Sequence, residues 1–106
     1  MYARVVEFTV KEGKMDELRG RLSAQVLPLL RQQRGFVDEL MLRSEANSSR
    51  ILAISLWRDK ELAEQYHLNQ YSHLLELFQL SLASPPSVDT FNVEISLAHG
   101  IGPKAA

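Results

Sequence analysis

A chain of 106 residues with 12 basic and 13 acidic side chains, net charge −1 and no cysteine has room for one domain and a core without disulfide staples. The charges are interspersed and no basic block occurs, so the electrostatic footprint of a nucleic-acid binder is missing. No apolar run approaches the roughly 20 residues that span a membrane, and the first residues form a strand pattern without signal-peptide architecture, so a cytoplasmic protein with no membrane partner is expected.

Tyr2 to Val10 alternates with period two and predicts a strand. Tyr2, Val6, Phe8 and Val10 share one face with Arg4, while Glu7 interrupts the other. Glu7 reads either as a solvated or interface carboxylate or as an inward-facing acid. Lys11-Glu12-Gly13-Lys14 breaks the strand. Met15, Leu18, Leu22, Val26, Leu29 and Leu30 then recur near helical spacing and predict a helix from about Met15 to Gln33. Gly20 weakens that helix. Pro28 lacks an amide donor and crowds the carbonyl of Ala24, so a kink or a division into two segments is expected. Gly35 is a natural left-handed stop.

Phe36 to Ser44 predicts the second strand, with Phe36, Asp38, Leu40 and Leu42 on one face and Val37, Glu39, Met41 and Arg43 on the other. Residues 45–49 are turn-formers. Arg50 to Trp57 is apolar on both faces, which suits a central or doubly covered strand, and the short connection makes strands two and three a hairpin. Asp59 can cap a helix over about Lys60 to His67. Leu68-Asn69 reads as a break, with Asn69 capping a further helix from Gln70 to about Ala83 on an apolar stripe of Tyr71, Leu74, Leu75, Phe78 and Leu82. Ser84-Pro85-Pro86-Ser87 ends it. Val88 to Leu97 predicts the last strand. Residues 1–97 are thus expected to form one domain and residues 98–106, with two glycines and a proline, a flexible C-terminal tail.

Strand, helix, strand, strand, helix pair, strand is the order of a ferredoxin-like βαββαβ fold, an α+β architecture with an antiparallel sheet. One layer of helices covers only one sheet face. Val37, Met41 and one side of Ile51 to Trp57 leave the opposite face apolar. A homodimer that packs two sheets face to face, a dimeric α/β barrel, is the expected remedy.

The opening strand followed by Lys-x-Gly-Lys, the Gly35-Phe36 start of strand two, and Trp57 followed by Arg58-Asp59-Lys60-Glu61-Leu62 resemble the antibiotic-biosynthesis monooxygenase (ABM) family. The resemblance covers about Met1 to Leu97. It implies a dimeric α/β barrel with a pocket between sheet and helices. Members of that family include cofactor-free oxygenases of hydroquinones and polyketide phenols, haem-degrading enzymes, small-molecule isomerases and proteins with no known activity. Family members often carry a histidine nine positions after the tryptophan; here that position is Tyr66 and the histidine is displaced to His67. The haem-degrading branch uses a first-strand asparagine, a second tryptophan and a ligating histidine. This chain has no asparagine between Tyr2 and Val10, and Tyr66 and Glu76 occupy the other two positions.

The candidate chemistry concentrates in one stretch. Tyr66 and His73 are seven apart, and His67 and Tyr71 four apart, so each pair would share a face of a continuous helix. Trp57 reads either as a core residue with its indole N–H satisfied nearby or as a flat pocket wall. Trp57, Tyr71 and Phe78 are the expected substrate-binding wall. His67 or His73 is the expected base, because imidazole titrates near neutrality, and Tyr66 would hydrogen-bond the substrate oxygen. No glycine-rich phosphate loop occurs, and three histidines do not make a metal site, so neither cofactor nor metal is expected. The expected function is cofactor-independent monooxygenation of a small aromatic or quinol-type molecule in a hydrophobic pocket. The alternatives are a non-catalytic small-molecule-binding dimer and an isomerase-type enzyme on the same scaffold.

Overall fold

A computed structural model describes residues 1–102. Four antiparallel strands, β1 (Tyr2–Thr9), β2 (Phe36–Arg43), β3 (Arg50–Trp57) and β4 (Ser87–Asn92), form one sheet in the order β2-β3-β1-β4. Two helices, α1 (residues 15–31) and α2 (residues 60–78), connect them, and α2 runs into a 3₁₀ turn at Gln79–Ser81. This is the α+β, ferredoxin-like arrangement the sequence predicts.

Each helix contains a π-helical turn. In α1, Met15–Arg21 and Leu27–Arg31 flank the wide turn Leu22–Val26. Pro28 sits in the first turn of the last segment, where its missing donor costs least. The wide turn ahead of it absorbs the misfit with Ala24, so the helix divides at Leu22 while its backbone stays right-handed. In α2, Asp59 caps as expected: its side chain accepts from the Leu62 N–H at 3.0 Å. The break expected at Leu68-Asn69 does not occur. Asn69 lies inside the π-helical turn His67–Tyr71, and the helix continues into Ser72–Phe78. Leu62, Ala63 and Tyr66 before that turn, and Leu74 and Phe78 after it, are all buried. Burial of both half-stripes outweighs the weak helix propensity of asparagine, and the extra residue brings both onto the sheet.

β2 departs from simple alternation. Phe36 pairs with Trp57 and Asp38 with Leu56, so Val37 is bulged and the register slips by one. The slip turns Glu39 and Met41 toward the helices, opposite Ser55 and Ala53, and turns Leu40 and Leu42 to the open face. The expectation that Met41 helps to make the open face is thereby corrected. β4 is shorter than expected. β1 begins at Tyr2, which pairs with Asn92, so beyond a last bond from the Val93 N–H to the Met1 carbonyl the chain has no strand to follow. Ser96 instead pairs with Ile101 around a tight turn. Of the expected tail, residues 103–106 lie outside the described residues.

The core fills the layer between sheet and helices. Trp57, Ile51 and Leu18 have no exposed surface. Gly35, at φ 83°, takes the left-handed stop, and a Cβ there would stand 2.5 Å from the Leu62 side chain, so the residue also lets α2 approach closely. On the open face Glu7 pairs with Arg50 as a half-exposed surface ion pair. Among the described residues no helix is long and apolar enough to cross a membrane.

Candidate functional site

A cavity of about 310 Å³ lies between the sheet and both helices. The sheet supplies Arg4, Val6 and Phe8 from β1, Glu39 and Met41 from β2, and Ala53 and Ser55 from β3. α1 closes it with Leu22, Ser23 and Val26 from its π-helical turn, and α2 with Tyr66, Tyr71 and Phe78. Both π-helical turns therefore border the same space. The wide turns let residues on successive turns reach the sheet where strict α-helical spacing would rotate them away.

The lining is mostly apolar, and its polar groups converge. Arg4 is 3% exposed, an unusual place for a guanidinium. Its Cζ stands 5.0 Å from the Tyr66 ring centre and 4.9 Å from that of Tyr71. Two aromatic faces thus replace part of its lost hydration. Its Nη2 donates to His67 Nδ1 at 2.9 Å. Because guanidinium only donates, that nitrogen of His67 carries no proton. Burial and the neighbouring Arg4 hold the His67 pKa below its ordinary value.

Glu39 is the other unexpected charge. Burial pushes its carboxyl up to about 8, with Arg4 opposing the shift and Asp38 adding to it. Its Oε2 is buried without a hydrogen-bond partner, as is the Tyr71 hydroxyl. Burial likewise pushes Tyr66 up to about 12, against the pull of Arg4, and raises Tyr71. The site therefore holds one buried cation, with half-exposed Arg19 as a second in its lining, a carboxyl that changes charge slightly above neutral pH, and two phenols that stay protonated.

Three of the six residues expected from sequence line the cavity: Tyr66, Tyr71 and Phe78. Phe78 packs edge-on against Phe8, with ring centres 5.2 Å apart. Trp57 stands behind the wall. It stacks on Tyr66 at 4.7 Å, meets Phe36 edge-on, and donates its indole N–H to Ser55 Oγ at 2.9 Å. Its reading as a core residue with a satisfied N–H describes what is seen, the acceptor being a hydroxyl. His67 stacks on Tyr71 at 5.1 Å and reaches the cavity only through Arg4; it borders a shallower groove between α2 and β4. His73 is exposed and borders none of these spaces.

Sequence reasoning missed Arg4, Glu39 and Ser55. Arg4 left a signal, as the single charge on an otherwise apolar strand face. Glu39 left none, because only the bulge at Val37 turns it inward.

The model of the family described as antibiotic biosynthesis monooxygenase matches residues 1–73. No curated protein matches the sequence. Among solved structures, a Bordetella bronchiseptica protein provisionally assigned as an antibiotic biosynthesis monooxygenase shares the fold with a TM-score of 0.79 at 17% identity, covering 89% of this chain and 97% of its own. SnoaB, a cofactor-independent oxygenase from Streptomyces nogalater, solved as a variant, aligns with a TM-score of 0.75 at 18% identity over 91% of this chain and 95% of its own. NE2512 from Nitrosomonas europaea, a protein of unknown function, aligns with a TM-score of 0.74 at 20% identity over 90% of each chain. At these identities the likeness is one of fold.

Proposed function

The chain belongs to the antibiotic biosynthesis monooxygenase family, and on that premise we propose that it is a cofactor-independent monooxygenase of a small phenolic or quinol-type aromatic. The observation that carries this reading is that buried Arg4 and Glu39 line the same mostly apolar cavity. An electron-rich phenol becomes a reductant of O₂ once it loses its proton. The protein then has three tasks: to remove that proton, to stabilise the resulting oxyanion, and to keep water away.

Glu39 removes the proton. With its pKa raised to about 8 it is a stronger base than an ordinary carboxylate, and it titrates near working pH. Arg4, always charged, holds the phenolate oxygen, aided by the Tyr71 hydroxyl that has no partner of its own. Val6, Phe8 and Phe78 exclude water and flank the ring. The phenolate then passes electrons to O₂. One oxygen atom enters the ring carbon and leaves a quinone, the other departs as water, and phenol plus O₂ equals quinone plus water. The base role expected of His67 or His73 passes in this reading to Glu39, and His67 becomes a support for Arg4.

The open sheet face supports a homodimer. Leu40 and Leu42 are each 46% exposed and Phe91 is 50% exposed on this face of one protomer, and a second copy packed sheet to sheet would cover them. An oxygen electrode with a panel of quinols and naphthols tests the oxygenase reading. It requires one O₂ consumed per quinone formed, with label from isotopic O₂ in the product. The isomerase alternative draws on the same Glu39–Arg4 pair, since proton removal and return need only a base and an oxyanion partner. Turnover without O₂, with deuterium entering from solvent, would replace the oxygenase reading by that one.

A further inference from the structure

Arg4 is buried, yet among the described residues no carboxylate stands within ion-pair distance of it. Its Nη2 donates to the unprotonated nitrogen of His67, and the guanidinium fork carries five N–H donors in all, more than that one contact uses. Two more polar atoms face the same space without partners, Glu39 Oε2 and the Tyr71 hydroxyl. Buried polar groups are rarely left so, and two of them beside a buried guanidinium in one apolar cavity point to a ligand with polar groups of its own. The group that matches a guanidinium fork, a phenol O–H and a carboxylic acid O–H together is a carboxylate, which offers two oxygens and about four lone-pair sites.

We propose that the cavity is a receptor for small hydrophobic carboxylates, held with the carboxylate on Arg4 and Tyr71 while Glu39 donates the proton of its own carboxyl to it. This assignment goes beyond the oxygenase reading and does not need it, because binding requires no reaction. The volume of about 310 Å³ lies at the small end for ligand pockets, which suits one or two rings. The ligand brings one negative charge to a lining whose charged groups, Arg4 and Arg19, are positive provided Glu39 is neutral. Burial keeps it so up to about pH 8.

The groups that face Glu39 set the sign of the pH effect. Arg4 comes from β1, Tyr66 and Tyr71 from α2, Arg19 from α1, and Asp38 is its neighbour on β2; β3 contributes Ser55, which does not titrate. Glu39 changes charge near pH 8. Above that pH a second negative charge would face the ligand, so binding must carry a proton with it.

The test is calorimetric titration of the wild-type protein with 2-naphthoate and with neutral 2-naphthamide, in buffers of differing ionisation heat. At pH 6 the carboxylate is expected to bind at least tenfold tighter than the amide, with almost no proton uptake. At about pH 10 each bound naphthoate should take up close to one proton, and its affinity should fall about tenfold per unit above pH 8. Glu39→Gln should still bind naphthoate, with affinity independent of pH. Arg4→Met should lose the preference for carboxylate over amide. Equal binding of acid and amide by the wild type, or naphthoate affinity unchanged across this range, would overturn the proposal. Because the wild-type profile alone decides, an unstable Arg4 variant leaves the test intact, and oxygen uptake with phenols stays an independent measurement.

Discussion

The two faces of the sheet invert the usual distribution of side chains. The helix-covered face holds most of the core, yet it carries Arg4, Glu39 and Ser55. The open face meets solvent in the single chain, yet it presents Leu40, Leu42 and Phe91, with only the Glu7–Arg50 pair as a charged feature on β1 and β3. Burying charge costs free energy unless partners or a ligand offset it, and exposing a contiguous apolar patch invites association. The covered face therefore reads as a reaction chamber and the open face as a contact surface. The lesson is that the exceptions to burial, more than the fold, carry the functional argument.

If that contrast holds, substitutions on the two faces should fail in different ways. The largest effect belongs to Arg4. Arg4→Met should lower kcat for quinol oxidation about 10²–10³-fold, the usual cost of losing one preorganised oxyanion partner, as read in the oxygen electrode. Next is a charge on the open face. Ile54→Lys, directly across from Val5 and Leu40, should shift the sedimenting species from a dimer to the 12.0 kDa single chain. A wild type that already sediments at 12.0 kDa would remove the contact-surface half of the comparison.

Trp57 sharpens the border between scaffold and chamber. Trp57→Phe leaves a void and orphans the Ser55 hydroxyl, so a loss of about 2–4 kcal/mol in stability is expected by denaturant titration. Activity in the folded fraction should change far less than with Arg4→Met. His73 marks the other end of the scale. His73→Ala should stay within about 0.5 kcal/mol of wild type and leave turnover unchanged. A large loss of turnover in that variant would return the base role to the histidines.

Glu39 links the chamber to stability. Its folded pKa of about 8 is raised above the ordinary 4.5, so the stability tied to its neutral form is complete below pH 4.5 and fades as pH rises toward 8. Glu39→Gln removes that slope. The variant should therefore gain on the wild type between those limits, by thermal melting, while losing turnover.

Much of this was legible in the sequence, for identifiable reasons. Strand alternation in residues 2–10, the apolar third strand, the Asp59 cap and the Gly35 stop each obey local rules, and each appears where those rules place it. The π-helical turns and the bulge at Val37 were not legible, because each inserts one residue for a tertiary reason that local periodicity does not encode. Those three insertions shape the site. The bulge turns Glu39 inward, and the turns bring Leu22, Ser23, Val26 and Tyr71 to the cavity. The aromatic cluster after Trp57 led to the right helix, and the acid that faces it came from a strand read as routine.

The central claim is that the Glu39–Arg4 pair performs the proton step. It is tested most directly by the pH profile of quinol-dependent oxygen uptake in wild type and Glu39→Gln. The account predicts a wild-type rate that rises with pH and levels off near pH 8, and a Glu39→Gln rate at least 10²-fold lower with no inflection there. A Glu39→Gln variant with the wild-type profile, beside a His67→Ala variant without activity, would contradict it.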